Sequence, residues 1–327
     1  MTARQPPEWA KHDFVWIGFP SHADLWVDDL TPARKEVIDF ARAVRAGGAG
    51  EEVRLVAADA EAAEAARALG GWDFRIDEQA FGDIWLRDTG PIILADGEHR
   101  MAASFRFNGW GGKYDLPGDD SVGMRLAASA GLPAQRHDWI LEGGAIDVDG
   151  TGLLVTTEQC LLNPNRNPGL SKAEAEDRLA RDLGISRVLW LGEGLLNDHT
   201  DGHVDNLARF VAPNRLAIPA AADADDPNAA VYADAKARAE AAAVEVVPLP
   251  SPGRVQRDGE IVPASYMNFY IGNAAIVVPV YGAANDEAAV AAIGALFPGR
   301  EAIGLRADHV LTGGGSFHCI SQQVPSC

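Results

Sequence analysis

The chain has 327 residues, 47% of them hydrophobic and 23% charged, enough apolar material for one large globular domain or two ordinary ones. Its formal net charge of −19 repels phosphate backbones and leaves no basic stripe, which argues against nucleic-acid binding. No run approaches the roughly 18 consecutive apolar residues of a membrane span, the N-terminus lacks the apolar centre of a signal peptide, and three cysteines are too few for a disulfide scaffold, so a cytoplasmic protein with reduced thiols is expected. The acidity has two readings, solubility or attraction of a cationic small molecule, and charge alone does not separate them.

Along the chain, Thr31-Pro32 reads as an N-cap followed by proline in the first turn of a helix. Val37, Phe40, Ala41 and Val44 repeat on one face of it, and Gly47-Gly48 stops it. Short apolar strands are expected at residues 53–57, 91–95 and 152–157. Ser171-Lys-Ala-Glu174 is a capping box, with Leu170 as the staple residue before it and Gly184 as the C-cap. A strand at 187–191, an exposed loop at 221–228 and a strand at 274–280 follow. A last helix runs from Asp286 to Leu296 and closes at Phe297-Pro298-Gly299. Strands alternate with helices, which indicates an α/β architecture. Unusual polar clusters centred on Asp88, Glu142, His203, Asn268 and Cys319 recur at intervals of 51 to 65 residues. That regularity suggests a repeated supersecondary unit, each copy delivering a strand end to one centre, and copies this small must pack together as one domain.

Gly313-Gly-Gly-Ser-Phe-His-Cys319 is the strongest local signal. Three successive glycines weaken any strand or helix and make sense where backbone must come close to a ligand, so Gly314 and Gly315 are candidate binding residues and Cys319 a candidate nucleophile. Cys160, flanked by Gln159 and Leu161-Leu162, reads as an inert core cysteine, and Cys327 is the last residue. In His199-Thr-Asp-Gly-His203-Val-Asp205, a strand with Val204 turned to the core would put His203 and Asp205 on one face, as an acid–base group beside a carboxylate clamp. The rival reading is a zinc site on His199 and His203, but Gly202 makes the helix that this spacing needs doubtful. Trp85-Leu-Arg-Asp88 offers an aromatic wall and an acid, and Glu142-Gly-Gly144 a second acid beside open backbone.

Together these motifs resemble the agmatine deiminase family of guanidine-modifying enzymes over nearly the whole chain. The resemblance runs from Glu8-Trp-Ala-Lys-His12 through Trp85-x-x-Asp88-x-Gly-Pro91, Phe105-x-Phe-Asn-Gly-Trp110-Gly-Gly-Lys113, Glu142-Gly-Gly144 and Glu158-Gln-Cys-Leu-Leu-Asn163-x-Asn-Arg-Asn-Pro168. It continues in Thr200-Asp-Gly-His203-Val-Asp205 and Ser265-Tyr-x-Asn-Phe-Tyr270 and ends in Gly315-x-x-His-Cys319-Ile-x-Gln-Gln323. It implies an α/β fold of five ββαβ units in a pseudo-symmetric propeller (the pentein fold), as a single catalytic domain over residues 1–327. It also implies Cys319 as nucleophile, His203 as general acid and base, Asp88 and Asp205 as the guanidinium clamp, Glu142 as their support and Trp85 as a pocket wall. Gly314, Gly315 and Asp201 complete the implied substrate-binding set. The sequence departs from the family at Ser316-Phe317 and at Asp198-His199, where acidic residues are usual.

The chemistry suits these residue types. A guanidinium is planar, charged and delocalised, so its carbon is a poor electrophile until carboxylates fix its plane against a thiolate. The expected reaction is hydrolysis of agmatine to N-carbamoylputrescine and ammonia, on a route to putrescine. The expected partner is a cationic guanidino molecule, with no cofactor, no metal, no nucleic acid and no membrane, and a homo-oligomer is allowed. The rivals are deimination of arginine or peptidyl arginine, an amidinotransferase, a zinc-binding protein using His199, His203 and Cys319, and a catalytically dead binding module. Three carboxylates near Cys319 should disfavour its thiolate unless protonated His203 or the arriving cation offsets them.

Overall fold

The computed structural model describes residues 3–327. Four sheets of three strands follow one another: Ile92–Ala95, Arg100–Arg106 and Ala134–Ile140; Ile146–Val148, Leu153–Thr157 and Arg187–Leu191; Arg209–Ala212, Arg215–Ala220 and Glu245–Pro250; Tyr270–Ile271, Ala275–Val280 and Glu301–Arg306. A fifth is assembled from both ends of the chain, with Ser321–Pro325 beside His12–Gly18, then Glu52–Ala57 and Arg75–Glu78. In each of these five sheets the first two strands pair antiparallel and the next pairing is parallel; a short antiparallel hairpin, Gln256–Arg257 with Glu260–Ile261, stands apart from them. A parallel neighbour cannot be reached by a tight turn, and a crossover helix supplies each one. Those helices are Asp119–Ser129, Lys172–Leu183, Ala229–Ala241, Asp286–Gly294 and, in the terminal sheet, Leu30–Arg45 for Glu52–Ala57 and Ala60–Gly70 for the additional strand Arg75–Glu78. The repeat is therefore ββαβ, five times.

The middle strands are covered on both faces and read as unbroken apolar runs, as Leu153–Thr157 does with every residue buried. The expected strands at 53–57, 91–95, 152–157, 187–191 and 274–280 fall within one residue of the observed ones. The first long helix differs. It starts at Leu30, directly after the turn Val27–Asp29, so Thr31 lies inside the helix and no side chain caps it. Ala46, in the left-handed region, ends it one residue before the glycines. The Ser171 capping box forms as expected, with Ser171 Oγ accepting from Glu174 N at 3.3 Å and Glu174 Oε2 from Ser171 N at 3.0 Å, and Gly184 closes that helix. The last predicted helix stops at Gly294, and Leu296 and Phe297 continue only as turns. Residues 221–228 form a loop, but its far end is buried because the Asp226 carboxylate accepts from Ala222 N, Asn228 N and Ser251 Oγ.

A single tight turn precedes the first strand of every sheet: Leu86–Thr89, Gly143–Ala145, Val204–Asn206, Tyr266–Asn268 and residues 317–320. These turns and their leading residues carry Asp88, Glu142, His203 with Asp205, Asn268 and Cys319. The interval seen in the sequence is the length of one ββαβ unit. The expected strand at His203–Asp205 is not there; it is a 3-10 turn, entered from Gly202 at φ +83°. No helix among the described residues is long and apolar enough to cross a membrane.

Candidate active site

The turn bearing Cys319 is anchored on both sides. Phe317 and Ile320 are fully buried, and Phe317 stacks on Phe40 with ring centroids 4.7 Å apart. From the next unit, Asn268 Oδ1 accepts from the backbone N–H groups of His318 and Cys319 at 3.0 and 3.2 Å, while its Nδ2 donates to Cys319 Sγ at 3.0 Å. The thiol lies 3.4 Å from Asp205 Oδ2. Cys319 lines a cavity of about 200 Å³ with Asp83, Trp85, Asp88, Trp110, Tyr114, Leu116, His199, Gly314 and Gly315 among the residues on its walls.

The glycines are explained by what surrounds them. A Cβ on Gly314, which sits at φ +103°, would lie 1.8 Å from His199 Nε2, and one on Gly315 would lie 2.6 Å from the Trp85 ring and 3.1 Å from Cys319 Sγ. Trp85 is held by Asp83, whose carboxylate accepts from Trp85 Nε1 at 2.7 Å and Trp26 Nε1 at 3.0 Å. Asp88 is aimed by Gly144 N–H and Trp110 Nε1, each 2.9 Å away. Gly144 is the pivot: a Cβ there would fall 2.7 Å from Asp88 Oδ1, 2.7 Å from His203 Nδ1 and 3.1 Å from Asp205 Oδ2. Three functional side chains converge on the space that its missing side chain leaves open.

Beneath the cavity, Asp205 accepts from His318 Nδ1 at 2.8 Å, and His318 Nε2 meets Glu8 at 2.8 Å. Glu8 also takes Arg87 and Arg209, and Arg209 bridges to Asp147 at 2.8 Å. Arg87 is thus buried in this network, bonded to Glu8 and Gln323 and absent from the cavity wall. Burial opposes the charge on Asp205, but His318, His203 and Arg209 outweigh it and hold the carboxyl below its usual range. Burial also opposes charge on His203, yet Asp88, Cys160 and Glu142 raise its imidazole well above the usual value. Burial, then Asp205 and Asp88, push the Cys319 thiol well up. These directions favour the thiol over the thiolate at Cys319 and the charged form of the imidazole at His203.

Of the expected site residues, Glu142, Asp201, His203 and Asp205 are not on the cavity wall; the first, third and fourth lie buried behind it, and Asp201 is corrected as a binding residue because Lys113 Nζ at 2.6 Å, Asn165 Nδ2 at 3.0 Å and Arg166 occupy its carboxylate. The buried reading of Cys160 holds. Cys160 is buried but not remote, because its thiol, a Glu142 oxygen and a His203 nitrogen all lie within 4.8 Å of one another. That set replaces the His199, His203 and Cys319 zinc site considered above, since His199 sits instead against Gly314 at the cavity wall. Arg166 Nε bonds Glu142 Oε1 at 2.9 Å, and its guanidinium opposes a cation there. Asp198 faces inward to Thr200 and Asn206 and shapes the loop rather than the cavity. Asn268, Asp83, Trp110 and His318 were not among the expected site residues. Asn268 had a signal, its place in the regular spacing; the others had only their motif neighbours.

A family model described as Porphyromonas-type peptidyl-arginine deiminase matches residues 4–325. The agmatine deiminase of Stutzerimonas stutzeri is 36% identical over 353 residues, covering 98% of this chain and 95% of its own. The solved agmatine deiminase of Enterococcus faecalis superposes with a TM-score of 0.93 at 31% identity, over 99% of this chain and 96% of that one. An agmatine deiminase of C. jejuni, a cysteine-to-serine variant with substrate bound, gives 0.91 at 27% identity, over 99% and 97%. The chain belongs to the agmatine deiminase family and is a guanidine-modifying hydrolase acting on linear amidines.

Proposed function

We propose that the chain hydrolyses agmatine to N-carbamoylputrescine and ammonia with Cys319 as nucleophile. The convergence of Asp88, His203 and Asp205 at Gly144, beside the Cys319 thiol, carries this reading. The five ββαβ units that supply these residues support a five-bladed pseudo-symmetric propeller acting as one catalytic domain.

Asp88 and Asp205 take the N–H groups of the guanidinium by charge-assisted hydrogen bonds and set its plane across Cys319 Sγ. The arriving cation offsets the acids that keep the thiol neutral, and the thiol gives its proton to solvent water, from which it ends on the released ammonia as ammonium. The thiolate adds to the guanidinium carbon and gives a neutral tetrahedral adduct. His203, already protonated, passes its proton to one nitrogen; that C–N bond breaks, ammonia leaves, and an S-alkylthiouronium cation stays on Cys319. Neutral His203 then takes a proton from water, hydroxide adds to the same carbon, and the C–S bond breaks as the ureido carbonyl forms. The hydroxyl proton returns to the sulfur. Glu142, held by Arg166, supports His203, and Trp85, Gly314 and Gly315 shape the wall.

The wall supports agmatine as the substrate. Trp85, Trp110 and Tyr114 flank the cavity and suit a cation on a short apolar chain, and among the described residues no Lys or Arg lines it to receive a substrate carboxylate. Agmatine is therefore expected to be turned over far better than arginine. Ammonia release measured across agmatine, arginine and a peptidyl arginine tests this, and equal or faster turnover of arginine contradicts the substrate assignment.

A further inference from the structure

We infer that Cys160 is a positioning residue for His203, its thiol fixing the plane of the imidazole from the side of the Glu158–Leu161 turn. The inference rests on the assignment of His203 as proton donor and acceptor above. His203 is fully buried, and neither ring nitrogen has a hydrogen-bond partner among the described residues. On one side Nδ1 faces Asp88 Oδ1 at 3.7 Å, too far to hold the ring. The Cys160 thiol and the Glu142 carboxylate gather with the ring inside 4.8 Å. Glu142 already receives Arg166, so its freedom to steer the ring is limited.

Cys160 is tied to His203 through the backbone as well. Thr157 Oγ1 accepts from Cys160 N at 3.2 Å and donates to Gly202 O at 2.7 Å, one residue before His203. The turn that carries the thiol and the loop that carries the imidazole therefore move together. Which proton position a histidine adopts, and how its ring sits, follows from the contact its other polar neighbours make. The groups that act on the ring are Asp88, Glu142, Asp205 and Cys160, with His199 beyond them, and Arg166 sits behind Glu142.

The test compares Cys160→Ala and Cys160→Ser with wild type, with Cys327→Ala as the surface control. Cys160→Ala should lower kcat by about tenfold or more with KM nearly unchanged, because a loosened ring costs proton transfer rather than binding. Cys160→Ser, which keeps a donor of similar size, should recover part of that loss, and thermal unfolding should place both variants near wild type. The histidine ring ¹⁵N resonances, with the His203 signal assigned by its absence in His203→Asn, should move in Cys160→Ala and less in Cys160→Ser. This spectrum needs no turnover, so it tests the inference even where agmatine proves not to be the substrate. An unchanged His203 resonance in Cys160→Ala overturns the proposal. So does a wild-type kcat in that variant, or equal losses in both variants that follow their loss of thermal stability.

Discussion

A methyl group at residue 144 would sit 2.7 Å from both Asp88 Oδ1 and His203 Nδ1, closer than any Cβ contact can be. Neither carboxylate beside it can retreat freely, because Asp88 is pinned by Trp110 and Asp205 by His318. Gly144→Ala should therefore displace the clamp while leaving the hydrophobic cores untouched. We expect kcat/KM for agmatine to fall by at least about 100-fold, on the order of 3 kcal/mol of transition-state stabilisation, with only a small change in Tm. Steady-state kinetics beside thermal unfolding checks this, and near-normal kcat/KM would mean the acids do not act from their observed positions. The glycine itself was legible in the sequence as a place of close approach, but what approaches it was not. The same holds for Cys160, whose apolar flanks at Leu161 and Leu162 describe its burial and say nothing of the imidazole beside it.

Local signals were most reliable where a few neighbouring residues decide the geometry. Ser171, Glu174 and Gly184 close both ends of one helix with contacts no more than five residues apart, and the sequence names all three. Removing the cap by Ser171→Ala should cost about 1 kcal/mol of stability in urea unfolding and leave turnover unchanged, since the helix end lies on the surface. Loss of activity in step with that small destabilisation would imply that this helix positions the site more directly than its contacts suggest. The turn at Val204–Asn206 went the other way. Alternation of His, Val and Asp looks like a strand, but Gly202 in the left-handed region and the acceptor Thr200 Oγ1 at 3.1 Å from His203 N bend the chain first. His203 and Asp205 still meet, though by way of a 3-10 turn.

The five-fold interval between polar clusters was visible in the sequence because each turn and each first strand occupies the same place in its ββαβ unit. The closure of the fifth sheet was not, since Ser321–Pro325 finds its partner in His12–Gly18 at the other end of the chain. That closure seats Cys319 between Asn268 and Asp205, and it brings Glu8 under His318 to complete a buried charge network. No local pattern specifies contacts over such separations. The central claim is that all of these units converge so that one thiol, Cys319, attacks the guanidinium carbon. Mass spectrometry of the acid-quenched enzyme during turnover of agmatine tests it most directly. An adduct equal to agmatine less ammonia is expected on the peptide containing Cys319, with no adduct and no ammonia release from Cys319→Ala. An adduct on another residue, or a Cys319→Ala protein that turns over at a comparable rate, would contradict it.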